Sequence, residues 1–351
     1  MAVSNPQSGT RVDEVAAGIY RIHTPIPAAP GGFSFNQYLL VDDEPLLFHT
    51  GLRRMFPLVR EAIATVMPVD RLRWIGFSHV EADECGALND FLAVAPRATP
   101  VCGRVAAMVS MEDLADRPPR ALADGETLAL GTRRVTWIDA PQVPHAWECG
   151  FLFEEHTRTL LCGDLFTQGG AEHPAVTERD ILGPSEEFRK AMDYYSHSTK
   201  AGPIFERLAA TAPRTLACMH GAAWQGDGGR LIRALAEELA RDAEQRCRSG
   251  RRERTGLHEI PFVQSEGERQ RARRRRTARR LDGSVGEGVR PFDVGPHSAR
   301  ASLRANGTRD RAHRADGALT GITSRSRSAR PGRRRRDRCR RASRTRSRRA
   351  R

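Results

Sequence analysis

Residues 78–86 read SHVEADECG. His79, Glu81 and Asp83 alternate, so an extended segment or loop leaving a strand would project all three the same way. Glu84 and Cys85 follow at once. This density of charge comes directly after an apolar stretch, RLRWIGF, and unpaired buried charges are costly unless a cation neutralises them. Metal binding therefore explains the residue types at this spacing. A helix start explains the same letters differently, with Ser78 or Asp83 as cap and acids favoured in the first turn.

The same grammar recurs three times downstream. His145 lies in WIDAPQVPHAW, Asp164 ends the apolar run TLLCGD, and His220 ends TLACMHG. Taken singly, a histidine is most often a packed or surface residue and an aspartate after a strand a cap or turn former. Taken together, His79, His145, His220, Asp83, Asp164 and Glu81 make a six-ligand inventory, enough for two metal ions. Trp147, Phe166, Tyr194, Tyr195 and Trp224 are candidates for the pocket wall, with Trp147 first because it sits two residues from His145; packing is the ordinary alternative for aromatics. Cys85 and Cys162 flank ligands and read as inert without a lowered pKa.

The elements that must position these groups alternate between short apolar runs and helical patterns. NQYLLV, PLLFHTG, RWIGFSH, TPVCG, RRVTWIDA, GFLFEE, TLLCGD and TLACMHG have the length and composition of strands; PLVREAIATVM, CGALNDFLAVA, EEFRKAMDYYSHS, PIFERLAAT and GGRLIRALAEELARDAEQ have helical spacing. This is α/β texture, in which sites are built from the ends of several strands.

Composition divides the chain near residue 245. From there on it holds 34 Arg, no Lys and 10 acidic residues, whereas residues 1–244 carry 23 basic and 33 acidic residues. The basic pI belongs to the tail, so it gives no ground for specific nucleic-acid or lipid binding by residues 1–245. The tail, 246–351, lacks apolar periodicity and is expected to be disordered, either binding phosphates through its Arg clusters or being an out-of-frame extension. Residues 1–9 are likewise expected to be disordered. The chain has neither a signal-like opening nor an apolar run long enough to span a membrane, which predicts a cytoplasmic location. Its seven cysteines include no CxxC pair, unlike a disulfide framework or structural zinc cluster. No GxSxG elbow, Walker loop or GxGxxG suggests a serine hydrolase, NTPase or dinucleotide enzyme.

HxExD at 79–83, His145, the GD at 163–164 and the HG at 220–221, in this order and at these separations, resemble the metallo-β-lactamase superfamily, specifically its flavodiiron and oxygen-binding di-iron branch. The resemblance covers about residues 10–245. Hydrolases of the superfamily usually read HxHxDH and the di-iron branch HxExD, so Glu81 is the discriminating letter. The resemblance implies a four-layer αββα sandwich with the site along one edge of the packed sheets. It implies that His79, Glu81 and His145 hold one iron, that Asp83 and His220 hold the other, and that Asp164 bridges them, with Glu81 and Asp164 cast as the catalytic pair. Replacing an imidazole by a carboxylate hardens the site and suits iron better than a zinc site built to activate water.

Two positions depart from that pattern. Glu84 stands where the superfamily usually has His, making it a further candidate ligand. His49 replaces the Asp of the usual LxDTG, a place where such groups orient ligands.

A diferrous pair yields two electrons and reduction of O₂ to water needs four, so a reductase needs an electron source. No strand followed by a Gly/Ser/Thr-rich phosphate loop comes after residue 245, so no flavin site is expected in this chain. The expected function is a non-haem di-iron centre that binds or reduces O₂ or NO with electrons from a separate donor protein, in a subunit able to form a homodimer. The alternatives are a zinc-dependent hydrolase of an ester, thioester or lactone, a non-catalytic oxygen sensor, and a scaffold that binds no metal.

Overall fold

The computed structural model describes residues 2–256. Among them the chain forms two sheets. The first joins eight strands in chain order: β1 Ala2–Asn5, β2 Thr10–Ala16, β3 Ile19–Ile26, β4 Phe33–Leu40, β5 Leu46–Phe48, β6 Trp74–Gly76, β7 Thr99–Gly103 and β8 Arg120–Leu122. Pairing is antiparallel up to β5 and parallel from β5 to β8. Parallel neighbours need crossovers. Three supply them: α1 Phe56–Ala64, then the short α2 Ala82–Cys85 with α3 Leu88–Val94, then α4 Arg104–Ala106, a π-turn Ala107–Met111 and α5 Glu112–Leu114.

The second sheet holds β9 Thr127–Ala129, β10 Arg134–Asp139, β11 Gly150–Glu154, β12 Thr159–Leu161, β13 Val176–Thr177, β14 Thr215–Ala217 and β15 Ala223–Gln225, in the spatial order β13-β15-β14-β12-β11-β10-β9. Between β13 and β14 lie α6 Leu182–Met192 and α7 Ala201–Ala210, and α8 Gly228–Gly256 follows β15.

The strands β5 LLF, β6 WIG, β12 TLL and β14 TLA are buried throughout because both faces are covered. Between the sheets lie Tyr38, Phe48, Trp137, Leu152, Leu161 and Ala217. On the outer face of the first sheet Val59, Ile63, Phe91 and Leu92 pack on Leu47 and Ile75; on that of the second, Phe205, Leu208, Ile232 and Leu235 pack on Phe151, Leu160 and Leu216. The result is the four-layer αββα sandwich. Trp137 fills its centre, so close to Gly150 that a Cβ there would stand 2.1 Å from the indole ring.

The short strands β8, β9, β13 and β15 were not among the expected ones, and the observed elements differ from expectation in three further places. Residues 1–9, expected to be disordered, supply β1, which pairs with β2. β2 and β3 escaped the apolar-pattern reading because they bury polar side chains: Asp13, Arg21, His23 and Thr24 are all inside. At the other end α8 runs past residue 245 to Gly256, so the helix enters the segment assigned to the tail; the rest of that tail lies outside the described residues. No helix among the described residues is long and apolar enough to cross a membrane.

Candidate metal centre

Three of the expected ligands occupy equivalent places in the fold. His79, Asp164 and His220 each follow a buried three-residue strand, three positions beyond the ends of β6, β12 and β14. β12 and β14 are parallel neighbours in the second sheet and β6 belongs to the first. One edge of the sandwich thus receives ligands from both sheets. His145 comes from the loop between β10 and β11, and Glu81, Asp83 and Glu84 from the start of α2.

The two oxygens of Asp164 divide these groups. Asp164 Oδ2 lies 3.6 Å from His79 Nε2 and 3.4 Å from His145 Nε2, whereas Oδ1 lies 3.2 Å from His220 Nε2. On the first side, Glu81 Oε2 is 2.9 Å from His79 Nε2 and 3.3 Å from His145 Nε2, and the two Nε2 atoms stand 3.0 Å apart. On the second side, Asp83 Oδ2 is 3.5 Å from His220 Nε2. Ligand atoms of His79, Glu81, His145 and Asp164 lie mutually within 4.8 Å, as do those of Glu81, Asp83 and Glu84.

Hydrogen bonds behind the imidazoles fix which nitrogen faces inward. His220 Nδ1 donates to the Ser34 carbonyl at 2.8 Å, which leaves Nε2 turned toward Asp83 and Asp164. His79 Nδ1 meets Ser78 Oγ at 3.0 Å, and Ser78 Oγ meets His49 Nε2 at 3.1 Å. The Ser78 backbone N–H also points at His49 Nε2, which makes that nitrogen an acceptor. The chain then runs from His79 N–H to the Ser78 hydroxyl to His49. Burial pushes the His49 imidazole down to about 3, so it acts in neutral form.

Charge is concentrated here beyond what imidazoles offset. Hydrogen bonds from His145 and His79 hold the Glu81 carboxyl well below the usual carboxylate range. Burial opposes ionisation of Asp164, but the His220 hydrogen bond and the surrounding imidazoles hold it down to about 2. Burial likewise opposes the charged forms of His145 and His220, and their carboxylate neighbours, Glu81 and Asp164 for the first and Asp164 and Asp83 for the second, more than offset it and raise both. Protons and a cation therefore compete for the same Nε2 positions. Glu84 goes the other way: burial, then the charges of Asp164 and Asp83, push its carboxyl well above the ordinary range, and both its oxygens are buried without a hydrogen-bond partner. Inward-facing nitrogens, converging carboxylates and an orphaned buried acid fit a pair of metal ions.

Some expected wall residues are elsewhere. Trp147 is 59% exposed, because its loop turns it outward past His145, whose ring meets Tyr194 edge-on at 5.9 Å. Tyr194 also donates from its hydroxyl to the Asp164 carbonyl at 3.0 Å. It reaches the site because α6 stops at Met192, with Asp193 left-handed at φ 48°. Phe166 and Tyr195 are buried in the helix-side core and Trp224 packs at its margin. The closest aromatic to His220 is Phe33, 4.4 Å between ring centroids, with Phe35 at 5.4 Å. Neither was anticipated; the alternation FSFNQ was the available signal. Cys162 is buried and Cys85 partly so, and burial pushes the Cys85 thiol up to about 11, against a reactive role.

A family profile described as ODP family beta lactamase matches residues 33–221. The nitric oxide reductase of Moorella thermoacetica is 27% identical over 240 residues, which cover 64% of this chain and 58% of that protein. Among solved structures, rubredoxin oxygen:oxidoreductase from Desulfovibrio gigas superposes with a TM-score of 0.57 at 21% identity, over 66% of this chain and 62% of that one. The flavodiiron protein from Giardia intestinalis gives 0.56 at 18%, over 65% and 59%. The chain thus spans less than two thirds of the length of each.

Proposed function

We propose, from the premise that this chain belongs to the ODP family of beta lactamases, that it is a dinuclear non-haem iron protein that binds or reduces O₂ or NO with electrons from a separate donor. The observation that carries the reading is the division of ligands by Asp164, one oxygen toward His79 and His145 and the other toward His220. In this reading His79, Glu81, His145 and Asp164 hold the first ion, and Asp83, His220 and Asp164 the second. The iron pair would supply open positions for a diatomic ligand and two electrons per cycle. The names of the relatives, a nitric oxide reductase and a rubredoxin oxygen:oxidoreductase, support the ligand class and the need for a donor.

The chain's own residues do the positioning. Ser34 and Ser78 orient His220 and His79 through Nδ1. Phe33 and Phe35 pack against the His220 ring. Tyr194 and Thr167 donate to the Asp164 carbonyl and fix the residue that would serve both ions. Half-exposed Glu81 stands at the solvent side of the first ligand set, the side from which a small ligand arrives.

The test is metal content by elemental analysis of full-length chain made in iron- and zinc-supplemented medium and purified without oxygen, followed by absorbance on admitting air. About two irons per chain with new near-ultraviolet absorbance is the expected outcome. Tightly held zinc with no oxygen response and efficient thioester hydrolysis would replace this reading with a hydrolase.

A further inference from the structure

A cavity of about 60 Å³ lies outside the ligand sets, where the loop between β10 and β11 meets α7, α8 and the segment after α6. Val143, Pro144, Tyr195 and Phe205 are its buried floor, and Ala201, Leu239 and Ala243 line its sides. At the exposed rim Arg246 Nη2 donates to His197 Nδ1 at 2.8 Å, and His197 Nε2 lies 2.8 Å from Asp193 Oδ1, which ties α8 to the segment after α6. The backbone of the floor is already satisfied. The Ser196 N–H donates to the Pro144 carbonyl at 2.8 Å and the Ser196 hydroxyl to the Gln142 carbonyl at 2.6 Å. Among the buried lining residues only Tyr195 carries a polar side-chain group, a hydroxyl that makes no hydrogen bond, and one donor falls short of the roughly two to four partners that hold a buried water. An apolar space of this kind stays dry and takes apolar guests. Its size chooses among them. Roughly 150 Å³ of cavity holds benzene, so about 60 Å³ excludes a ring and admits xenon or a diatomic molecule.

The place of the cavity connects it with the metal centre. Pro144 immediately precedes His145, and Tyr195 follows Tyr194, whose ring meets His145 edge-on at 5.9 Å and whose hydroxyl donates to the Asp164 carbonyl. The floor and the first ligand set therefore share two short stretches of backbone. Resting on the dinuclear reading above, we propose that this cavity is a binding site for an uncharged diatomic gas, O₂ or NO, which it concentrates beside His145. A gas molecule that leaves water for the apolar floor approaches the ligands from behind His145, as a second approach besides the solvent side at half-exposed Glu81. The rim contacts of Arg246, His197 and Asp193 hold the mouth in shape without placing a charge on the floor.

The experiment uses the full chain and takes xenon as the probe. Metal-free protein is titrated with xenon and followed by xenon nuclear magnetic resonance, and the unsubstituted chain is expected to give a saturable shift. Ala201→Leu and Ala243→Leu extend side chains from the two helices into the space. Both are expected to lose that shift with melting midpoints unchanged. The iron-loaded proteins are then mixed with limiting O₂ in a stopped-flow spectrometer. Both variants are expected to respond severalfold more slowly than the unsubstituted chain while holding the same iron. Absence of a saturable shift in the unsubstituted chain, its retention in both variants, or an unchanged rate in variants that have lost it would overturn this proposal alone. Saturable xenon binding in an unsubstituted chain that, loaded with iron, responds to neither O₂ nor NO would overturn the dinuclear reading, and with it the role of the cavity.

Discussion

In the proposed centre Asp164 would serve both ligand sets, so its substitution separates that reading from a single-ion site. Asp164→Asn keeps the shape but removes the charge and the bidentate reach. It is expected to abolish binding of at least one ion and most metal-dependent stabilisation, which for an intact site is about 2.7 kcal/mol at a hundredfold excess over Kd. Thermal unfolding with and without metal reads this directly. His49 acts further back, through Ser78 Oγ on His79 Nδ1. Losing such a partner typically weakens a metal site about 10–100-fold. His49→Ala is expected to fall in that range by chelator competition while the circular dichroism spectrum is retained; unchanged affinity would show that Ser78 alone orients His79.

At the scale of elements, β3 and β4 hold the segment that carries His220. Asn36 donates to the carbonyls of Cys218 and Gly221, Tyr38 donates to Cys218, and buried Arg21 donates to Pro174 and Gly221. Arg21 also pairs with buried Asp13 at 3.3 Å. Arg21→Met leaves Asp13 with its more distant neighbour Arg11 and removes two carbonyl partners, and breaking a buried pair in this way costs about 3–5 kcal/mol. An unfolding free energy lowered by that amount in denaturant titration, with lowered metal occupancy, is the expected result.

The same layer sets an acid response. His23, whose ring nitrogens lie 2.9 Å from Asn36 Oδ1 and 3.2 Å from the Ala171 carbonyl and whose neutral form donates to one of them, is pushed down to about 3 by burial and by Arg21. An unfolded histidine takes up its proton near about 6.5, so below that pH the unfolded chain binds a proton that the folded chain refuses. Stability should fall as pH drops from about 6.5 toward about 3. His23→Gln is expected to flatten that decline in metal-free protein; an unaltered pH profile of the melting midpoint would assign the loss elsewhere.

At the scale of the molecule, α8 ties the outer helical layer together through buried Arg189 of α6, which bonds Glu186 Oε1 at 2.8 Å and also Asp242. A chain ending at residue 256 keeps that tie, and its proposed ligands all lie between residues 79 and 220. It is expected to match the full-length chain in ions bound and melting midpoint. A chain ending at 240 loses Asp242 and is expected to melt lower. The Arg clusters beyond 256 predict salt-sensitive retention on a polyanion column for the full chain and none for the chain ending at 256.

The sequence by itself picked out the residues proposed as ligands, because they are polar letters placed where an apolar run ends, and HVEAD, CGD and MHG stand out against their strands. The buried strands and the amphipathic helices were legible for the same reason of pattern. β2 and β3 were not, since Arg21 and His23 look like exposed residues until Asp13 and the carbonyls of 171–174 and 221 enclose them. Only the tertiary structure decided which nitrogen of each histidine faces inward, how Asp164 divides the ligands, that Tyr194 rather than Trp147 meets His145, and that Glu84 is buried without a partner. Those outcomes depend on groups up to 186 residues apart, as between Ser34 and His220, and no local pattern encodes a distance that long-range packing sets.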